Sequence, residues 1–298
     1  MRIVTRPDFD GVVCAVLLCE AENVSEPVKW VEPNDMQKGR VVIKRGDIIA
    51  NLPFDSRCSL WFDHHYTNRP DVPFKGAYAI APSAAGIVFV YYQKRFRRDY
   101  RELVRAADRI DAAELTRDEV EHPENNDYVL LSMTVSGREK ADEPYWNLLV
   151  DLLRRSDIET IMVDPEVSRR CRAVVQQNAR YREHLLNHTT LQGHVAVTDF
   201  RCFEKAPTGN RFLCYSLFPD SAVSVKIRYD HRDRNRIVVS VGHSIFNPLC
   251  RVNAGLMLKN FGGGGHHGAG GCSFDAKKAD DYIPRIIEIL VKNEPNEP

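Results

Sequence analysis

Asp63, His64 and His65 stand side by side in the segment FDHHYTN, directly after the apolar run Ser59-Leu60-Trp61-Phe62. An aspartate and two imidazoles at a predicted strand end can hold a divalent ion or meet a phosphate. Three acidic segments strengthen that reading: Arg6-Pro7-Asp8-Phe9-Asp10-Gly11, Gly46-Asp47 and Ala106-Ala107-Asp108. Oxygen-rich donors with one imidazole suit Mn²⁺ or Mg²⁺, whereas zinc draws more histidine or cysteine. Such an ion lowers the pKa of bound water and neutralises charge on a phosphoryl oxygen. Asp63 is placed to orient His64 and fix which imidazole nitrogen is free. His65 is placed to meet a substrate phosphate or polarise a leaving oxygen. Each motif alone also has a bland reading. Asp-x-Asp caps helices and shapes turns, single aspartates sit in solvated loops, and adjacent histidines are mostly structural.

The elements that must position these residues alternate between strand and helix. Arg2 to Thr5 reads as a strand and Gly11 to Glu22 as an apolar helix, with Asp8 and Asp10 in the turn between. Carboxylates at that junction are a recurrent site geometry in open α/β sheets. Val28 to Val31, Asp47 to Ala50 and Leu60 to Phe62 follow as strands, with a helical turn over Asp35 to Lys38. Helices are expected from Pro82-Ser83 through Tyr92 and from Asp99 to Ala107, then a polar surface excursion over Asp111 to Asn126. Trp146 to Arg154 is amphipathic, and Pro165 to Leu186 carries a long charged helical pattern. Near His194 a new regime begins, with strands expected at Val195 to Val197, Phe212 to Cys214, Val223 to Tyr229 and Ile237 to Val241. A helix over Arg251 to Lys259 feeds a glycine run, and a closing helix over Pro284 to Val291 takes its proline in the first turn. Asn293 to Pro298 reads as a loose tail.

A chain of 298 residues is long enough for two domains. Lys+Arg and Asp+Glu both number 41, so a binder of long duplex nucleic acid relying on bulk charge is disfavoured, though a localised phosphate groove is not. No apolar run approaches the roughly 20 residues of a membrane helix, and the N-terminus carries no signal-peptide pattern. The eight cysteines form no C-x-x-C pair and read as buried thiols in a cytoplasmic, reducing compartment.

The segment Asn260-Phe261-Gly262-Gly263-Gly264-Gly265-His266-His267-Gly268-Ala269-Gly270 lets backbone N–H groups approach a phosphate or carboxylate closely. It is not a G-x-x-x-x-G-K-[ST] phosphate loop, and a plain turn remains open for it.

Taken together, these segments resemble the DHH phosphoesterase family with a DHHA1 second domain. The family's His-x-Asp-x-Asp motif is similar to Arg6-Pro7-Asp8-Phe9-Asp10, its second acidic position to Asp47, its name motif to Asp63-His64-His65, and its fourth to Asp108 in AADRIDAAE. The glycine-histidine segment extends the resemblance over nearly the whole chain. It implies an α/β fold with a mostly parallel N-terminal sheet domain and a smaller C-terminal α/β domain. The domains are expected at 1–164 and 191–298, joined by a helix over 165–190.

The resemblance implies two Mn²⁺ ions sharing the second motif's aspartate, with Mg²⁺ as the alternative. Asp8 and Asp47 would hold the first, and Asp10, Asp47, His64 and Asp108 the second. The family's leading histidine is Arg6 here, and arginine cannot ligate a metal. One tightly bound ion is therefore expected, with Arg6 pairing with Asp8 or Asp47, or clamping a phosphate oxygen. Asp63, His64, His65 and Arg6 are the catalytic candidates. In DHHA1 domains the glycine segment faces the metal site across a cleft, which implies substrate contacts from Gly264, Gly265 and His266, with His243, Ser244 and Asn247 before them. The expected function is metal-dependent hydrolysis of a short oligonucleotide or small nucleotide phosphodiester. An exopolyphosphatase or pyrophosphatase-like enzyme and a non-catalytic phosphoryl-ligand binder are the alternatives. The expected partner is thus a short nucleic acid, nucleotide or polyphosphate, without a membrane, and a homodimer is left open.

Overall fold

The computed structural model describes residues 1–136 and 140–297. The chain forms two α/β units, Met1–Leu115 with Pro123–Arg172, and Thr116–His122 with Ala173–Pro298. No helix among the described residues is long and apolar enough to cross a membrane.

The first unit opens with β1 (Arg2–Thr5) and α1 (Phe9–Ala21), then β2 (Lys29–Trp30), α2 (Pro33–Gln37), β3 (Asp47–Ala50), β4 (Leu60–Asp63) and β5 (Gly76–Tyr78). The strands lie in the order β2-β1-β3-β4-β5, and every pairing is parallel. Every residue from Phe9 to Leu18 is buried, so α1 runs through the core rather than along the surface. It packs against α3 (Ala84–Tyr92), α4 (Arg101–Asp111) and, later in the chain, a helix over Glu143–Arg155. On the sheet, Trp61 is fully buried and stacks on Tyr78 with ring centroids 5.6 Å apart. Because all five strands point the same way, their carboxyl ends share one edge. Arg6 follows β1 there, Asn51 follows β3, and Asp63 ends β4. The opposite edge carries Arg2 and Asp47, which are Cα partners in the β1–β3 register.

Between the unit's two segments, α5 (Arg117–Glu121) belongs to the second unit. A polar surface excursion was expected here. Instead Thr116 and Glu119 close a capping box and Val120 is completely buried. The first unit then finishes with α6 (Asp127–Met133), α7 (Glu143–Arg155) and α8 (Ile158–Met162), while α9 (Pro165–His188) contributes residues to both units.

The second unit is built on β6 (Thr189–Gln192), β7 (Val195–Asp199), β8 (Val223–Tyr229), β9 (Arg236–His243), β10 (Gly264–His266) and β11 (Ala269–Asp275). The order is β10-β11-β9-β8-β7-β6, with β7 and β8 parallel and the other pairs antiparallel. Its helices are α10 (Leu213–Leu217), α11 (Ala254–Lys259) and α12 (Ala279–Lys292). The core joins Val223, Val225, Val239 and Val241 of the sheet to Ile283, Ile286 and Leu290 of α12.

Three expectations fail in this unit. Phe212 to Cys214 caps and starts helix α10 rather than forming a strand, because so short an apolar run has no periodicity to separate the two. Pro284 falls inside α12 rather than in its first turn; it sits on the solvent face, away from Ile283, Ile286 and Ile287. The C-terminal tail is pinned rather than loose. Asn293 accepts from the Arg251 N–H at 2.7 Å, and Asn296 accepts from that of Asn253 at 2.6 Å.

Candidate metal centre

Asp8 is the N-cap of α1, and its Oδ1 accepts from Gly11 N at 2.8 Å. This is the bland role of the Asp-x-Asp motif, and Asp8 fills it while also facing the site. The same oxygen accepts from Asn51 Nδ2 at 3.0 Å, and Oδ2 lies 3.1 Å from Arg6 Nε. Burial pushes the Asp8 carboxyl up to about 6 against the opposing pull of Arg6.

Asp10, in the first turn of α1, is buried. Its oxygens accept from Ala84 N at 3.0 Å and Ala85 N at 2.8 Å, which ties α1 to the N-terminus of α3. Burial raises its pKa well above the carboxylate range, with Asp111 and Asp8 adding to the shift. Ser83 caps α3 and also donates to Asp108 Oδ1 at 2.5 Å. The Asp108 carboxylate fits against Gly86, where an added Cβ would lie 2.7 Å from its oxygen. Asp108 is thus engaged in holding α4 to α3, and its pKa is raised by desolvation against the Ser83 bond.

One turn further along α4, Asp111 reaches the place sequence analysis gave to Asp108. Its Oδ2 lies 3.4 Å from His64 Nε2, and Asp10 Oδ2 lies 3.9 Å from the same nitrogen. Donor atoms of Asp10, His64 and Asp111 all fall within 4.8 Å of one another. His64 Nδ1 lies 2.9 Å from the Ala81 carbonyl. A carbonyl only accepts, so Nδ1 carries a proton there, and the ring turns its Nε2 toward two carboxylates. That buried nitrogen has no hydrogen-bond partner. Two carboxylates converging on one imidazole nitrogen form a group that could hold a divalent cation. An imidazole with oxygen donors fits Mn²⁺ or Mg²⁺ by donor chemistry.

Asp63 orients His65 rather than the His64 ring. Its Oδ1 lies 2.8 Å from His65 Nδ1, and its Oδ2 accepts from Asn68 Nδ2 at 2.6 Å. The hydrogen bond to Asp63 raises the His65 pKa against a desolvation that lowers it. Asp63, His64 and His65 also form a second close donor group.

Asp47 is not brought to this cluster. It opens β3 at the other edge of the sheet, where Arg2 grips it with Nε–Oδ1 at 3.0 Å and Nη2–Oδ2 at 2.6 Å, and Lys44 N adds a bond of 2.8 Å. The residue at the carboxyl end of the same strand is Asn51. It is 1% exposed, takes φ +55°, and its Oδ1 has no hydrogen-bond partner. Sequence analysis missed Asn51 and Asp111. The rule that ligands gather at strand carboxyl ends would have found the first. The spacing of Asp108 and Asp111, one helical turn apart, pointed to both aspartates without choosing.

In the second unit, β10 and β11 turn the glycine run into a hairpin rather than a plain turn. Gly255 of α11 meets this hairpin so closely that a Cβ would lie 2.3 Å from Gly265 O, and Gly265 itself takes φ +151°. Gly264 has open space beside it and His266 is exposed. His243 packs edge-on to His267 with centroids 5.3 Å apart, and its Nε2 lies 2.9 Å from Val252 O. Burial lowers the His243 pKa. Ser244 Oγ accepts from Phe246 N and Asn247 N at 3.2 Å each, while Asn247 Nδ2 donates to Asp220 O at 3.3 Å. Ser244 thus shapes its own loop, and Asn247 ties that loop to the segment around Asp220.

No family model matches the chain, and no curated protein matches it. Among solved structures, the pGpG-specific phosphodiesterase PggH from Vibrio cholerae is 32% identical, with a TM-score of 0.85 over 98% of this chain and 99% of its own. RecJ from Thermus thermophilus in complex with Mn²⁺ is 12% identical, with a TM-score of 0.60 over 99% of this chain and 52% of RecJ. Its Mg²⁺ complex is 14% identical, with a TM-score of 0.55 over 99% of this chain and 50% of RecJ. The chain spans about half of RecJ, and that likeness is one of fold.

Proposed function

The chain belongs to the DHH/DHHA1 family of metal-dependent phosphoesterases, and from that membership we propose that it hydrolyses a linear dinucleotide or similarly short nucleotide phosphodiester. The observation that carries this substrate size is the end-to-end likeness to a pGpG-specific enzyme, which spans both units and nearly the full length of each chain. The near-balance of charge agrees with a small substrate, which needs no extended basic track.

Asp10, His64 and Asp111 are the residues that would hold the divalent ion, Mn²⁺ or Mg²⁺. When bound, the ion lowers the pKa of a water molecule and neutralises charge on a phosphoryl oxygen. Arg6, partly exposed beside Asp8, binds a nonbridging oxygen of the scissile phosphate through the guanidinium face that Asp8 leaves open. His65 takes the role of proton donor. Asp63 holds its Nδ1 and raises its basicity, so Nε2 carries a proton toward the leaving oxygen. Asp63 is completely buried and fixed by Asn68, so it positions His65 without touching substrate. In the second unit we assign Gly264, Gly265 and His266 to the distal phosphate or sugar, with His243 supporting the hairpin through His267. The chain's eight free thiols support a cytoplasmic setting.

The test incubates purified protein with Mn²⁺ and, separately, pGpG, a longer oligoribonucleotide and short-chain polyphosphate, with products followed by chromatography. Mononucleotide release from pGpG that Asp111→Ala abolishes is the expected result. Phosphate release from polyphosphate alone would transfer the chain to the polyphosphatases. Unaltered ligands in the presence of bound Mn²⁺ would leave a binding role.

A further inference from the structure

Asp8 is saturated by nitrogen donors. One oxygen faces Gly11 N and Asn51 Nδ2, and the other faces the Arg6 guanidinium. A second cation approaching Asp8 would have to displace a group that carries the same sign of charge and never deprotonates. The residues on this side of the centre therefore do not fit a second ion.

Asn51 has the opposite character. A carboxylate only accepts hydrogen bonds, so the amide NH₂ must be the group that faces Asp8. The carbonyl then points elsewhere, and this buried oxygen has no partner. An unsatisfied buried carbonyl is costly, and Asn51 takes a left-handed backbone that asparagine tolerates better than most residues. Asn51 N donates to Phe62 O at 3.0 Å, so the residue sits beside the end of β4, which leads directly into His64. His64 Nε2 is another buried atom without a hydrogen-bond partner. Amide carbonyls are ordinary ligands for hard divalent ions.

We propose that this chain binds one divalent ion, with Asn51 Oδ1 joining Asp10, His64 and Asp111 as a neutral oxygen ligand, and that the Arg6–Asp8 pair supplies the remaining positive charge in place of a second ion. This rests on the metal centre assigned above. Two carboxylates then face the ion, and the fixed guanidinium meets the substrate phosphate from the Asp8 side.

The experiment is a calorimetric Mn²⁺ titration of chelator-stripped full-length protein, with bound metal counted independently by elemental analysis. One Mn²⁺ per chain is expected. Asn51→Ala should weaken binding by at least roughly tenfold, and the double variant Arg6→His, Asn51→Asp should take up a second ion. Two ions of similar affinity in the unmodified protein would overturn the proposal without touching the metal centre. Unchanged affinity in Asn51→Ala would remove Asn51 from the ligand set. A double variant that still takes one ion would show that these residues do not limit the count. No bound Mn²⁺ in the unmodified protein would instead sink the metal centre itself.

Discussion

The two edges of the first sheet hold buried carboxylates in opposite conditions. At the amino edge, Asp47 is 2% exposed and fully answered by a two-point grip from Arg2 and a backbone N–H. At the carboxyl edge, Asp10 and Asp111 lie 3.9 and 3.4 Å from His64 Nε2, and neither that nitrogen nor Asn51 Oδ1 has a hydrogen-bond partner. Each edge holds a carboxylate that is only 2% exposed, Asp47 at one and Asp10 at the other, so burial by itself does not mark function. The difference is satisfaction. A paired buried charge is finished structure, whereas a buried cluster with unanswered polar atoms is built around something it binds.

The largest effects should separate the edges cleanly. Asp111→Ala should lower phosphodiesterase turnover on the order of a thousandfold, the scale of several kcal/mol of lost charge stabilisation, and should abolish tight Mn²⁺ binding while leaving the thermal midpoint of the metal-free protein near its original value. Asp47→Ala should do the reverse. It strands the Arg2 guanidinium, only 11% exposed, and should cost about 3–5 kcal/mol of stability in denaturant unfolding. Molecules that remain folded should bind Mn²⁺ as before. Loss of Mn²⁺ affinity from folded Asp47→Ala protein would break the comparison. Next in size is Ser83→Ala, which removes both the α3 cap and the bond to Asp108, for about 1 kcal/mol. If Asp108 serves to join helices, Asp108→Asn should resemble this variant in stability and keep Mn²⁺ affinity. A metal-binding loss matching that of Asp111→Ala would return Asp108 to the ligands.

What could be read from the sequence follows the same divide. Strands β1, β3 and β4 and the placement of Asp8, Asp10 and His64 at the site's edge were legible, because apolar runs and turn residues mark them locally. Asp47 was misread because resemblance matched an acidic residue on the right strand, while the parallel register puts it at the wrong end. Asp108 and Asp111 lie on the same helix, and only the packing of Ser83 and Gly86 against the former shows which one is engaged. Asn51 was invisible as an amide in a search for acids. In the second unit, α10 and the β10–β11 hairpin were missed for another reason. Short buried runs and glycine-rich strands carry little periodicity, so their conformation is decided by partners distant in sequence.

The smallest expected effect concerns the competition of protons with the ion for these carboxylates. Asp8 is raised to about 6 and Asp10 well above its ordinary value, each mainly by desolvation. A raised carboxylate pKa means that the folded protein binds protons more tightly than the unfolded chain does. The penalty of the ionised form is complete above the folded pKa and fades as pH falls toward the unfolded value near 3.9. In chelator, the thermal midpoint should therefore rise by a few degrees between pH 7.5 and 5.5. Saturating Mn²⁺ should flatten that rise, since the ion supplies at high pH the charge that the proton supplies at low pH, and its stabilising increment should shrink as the two compete. Asp10→Asn should reduce the slope in chelator, whereas a conservative change at Asp47 should leave it in place. A midpoint that falls on acidification of the metal-free protein would show that the carboxyl edge is not short of a cation, and the contrast between the two edges would fail.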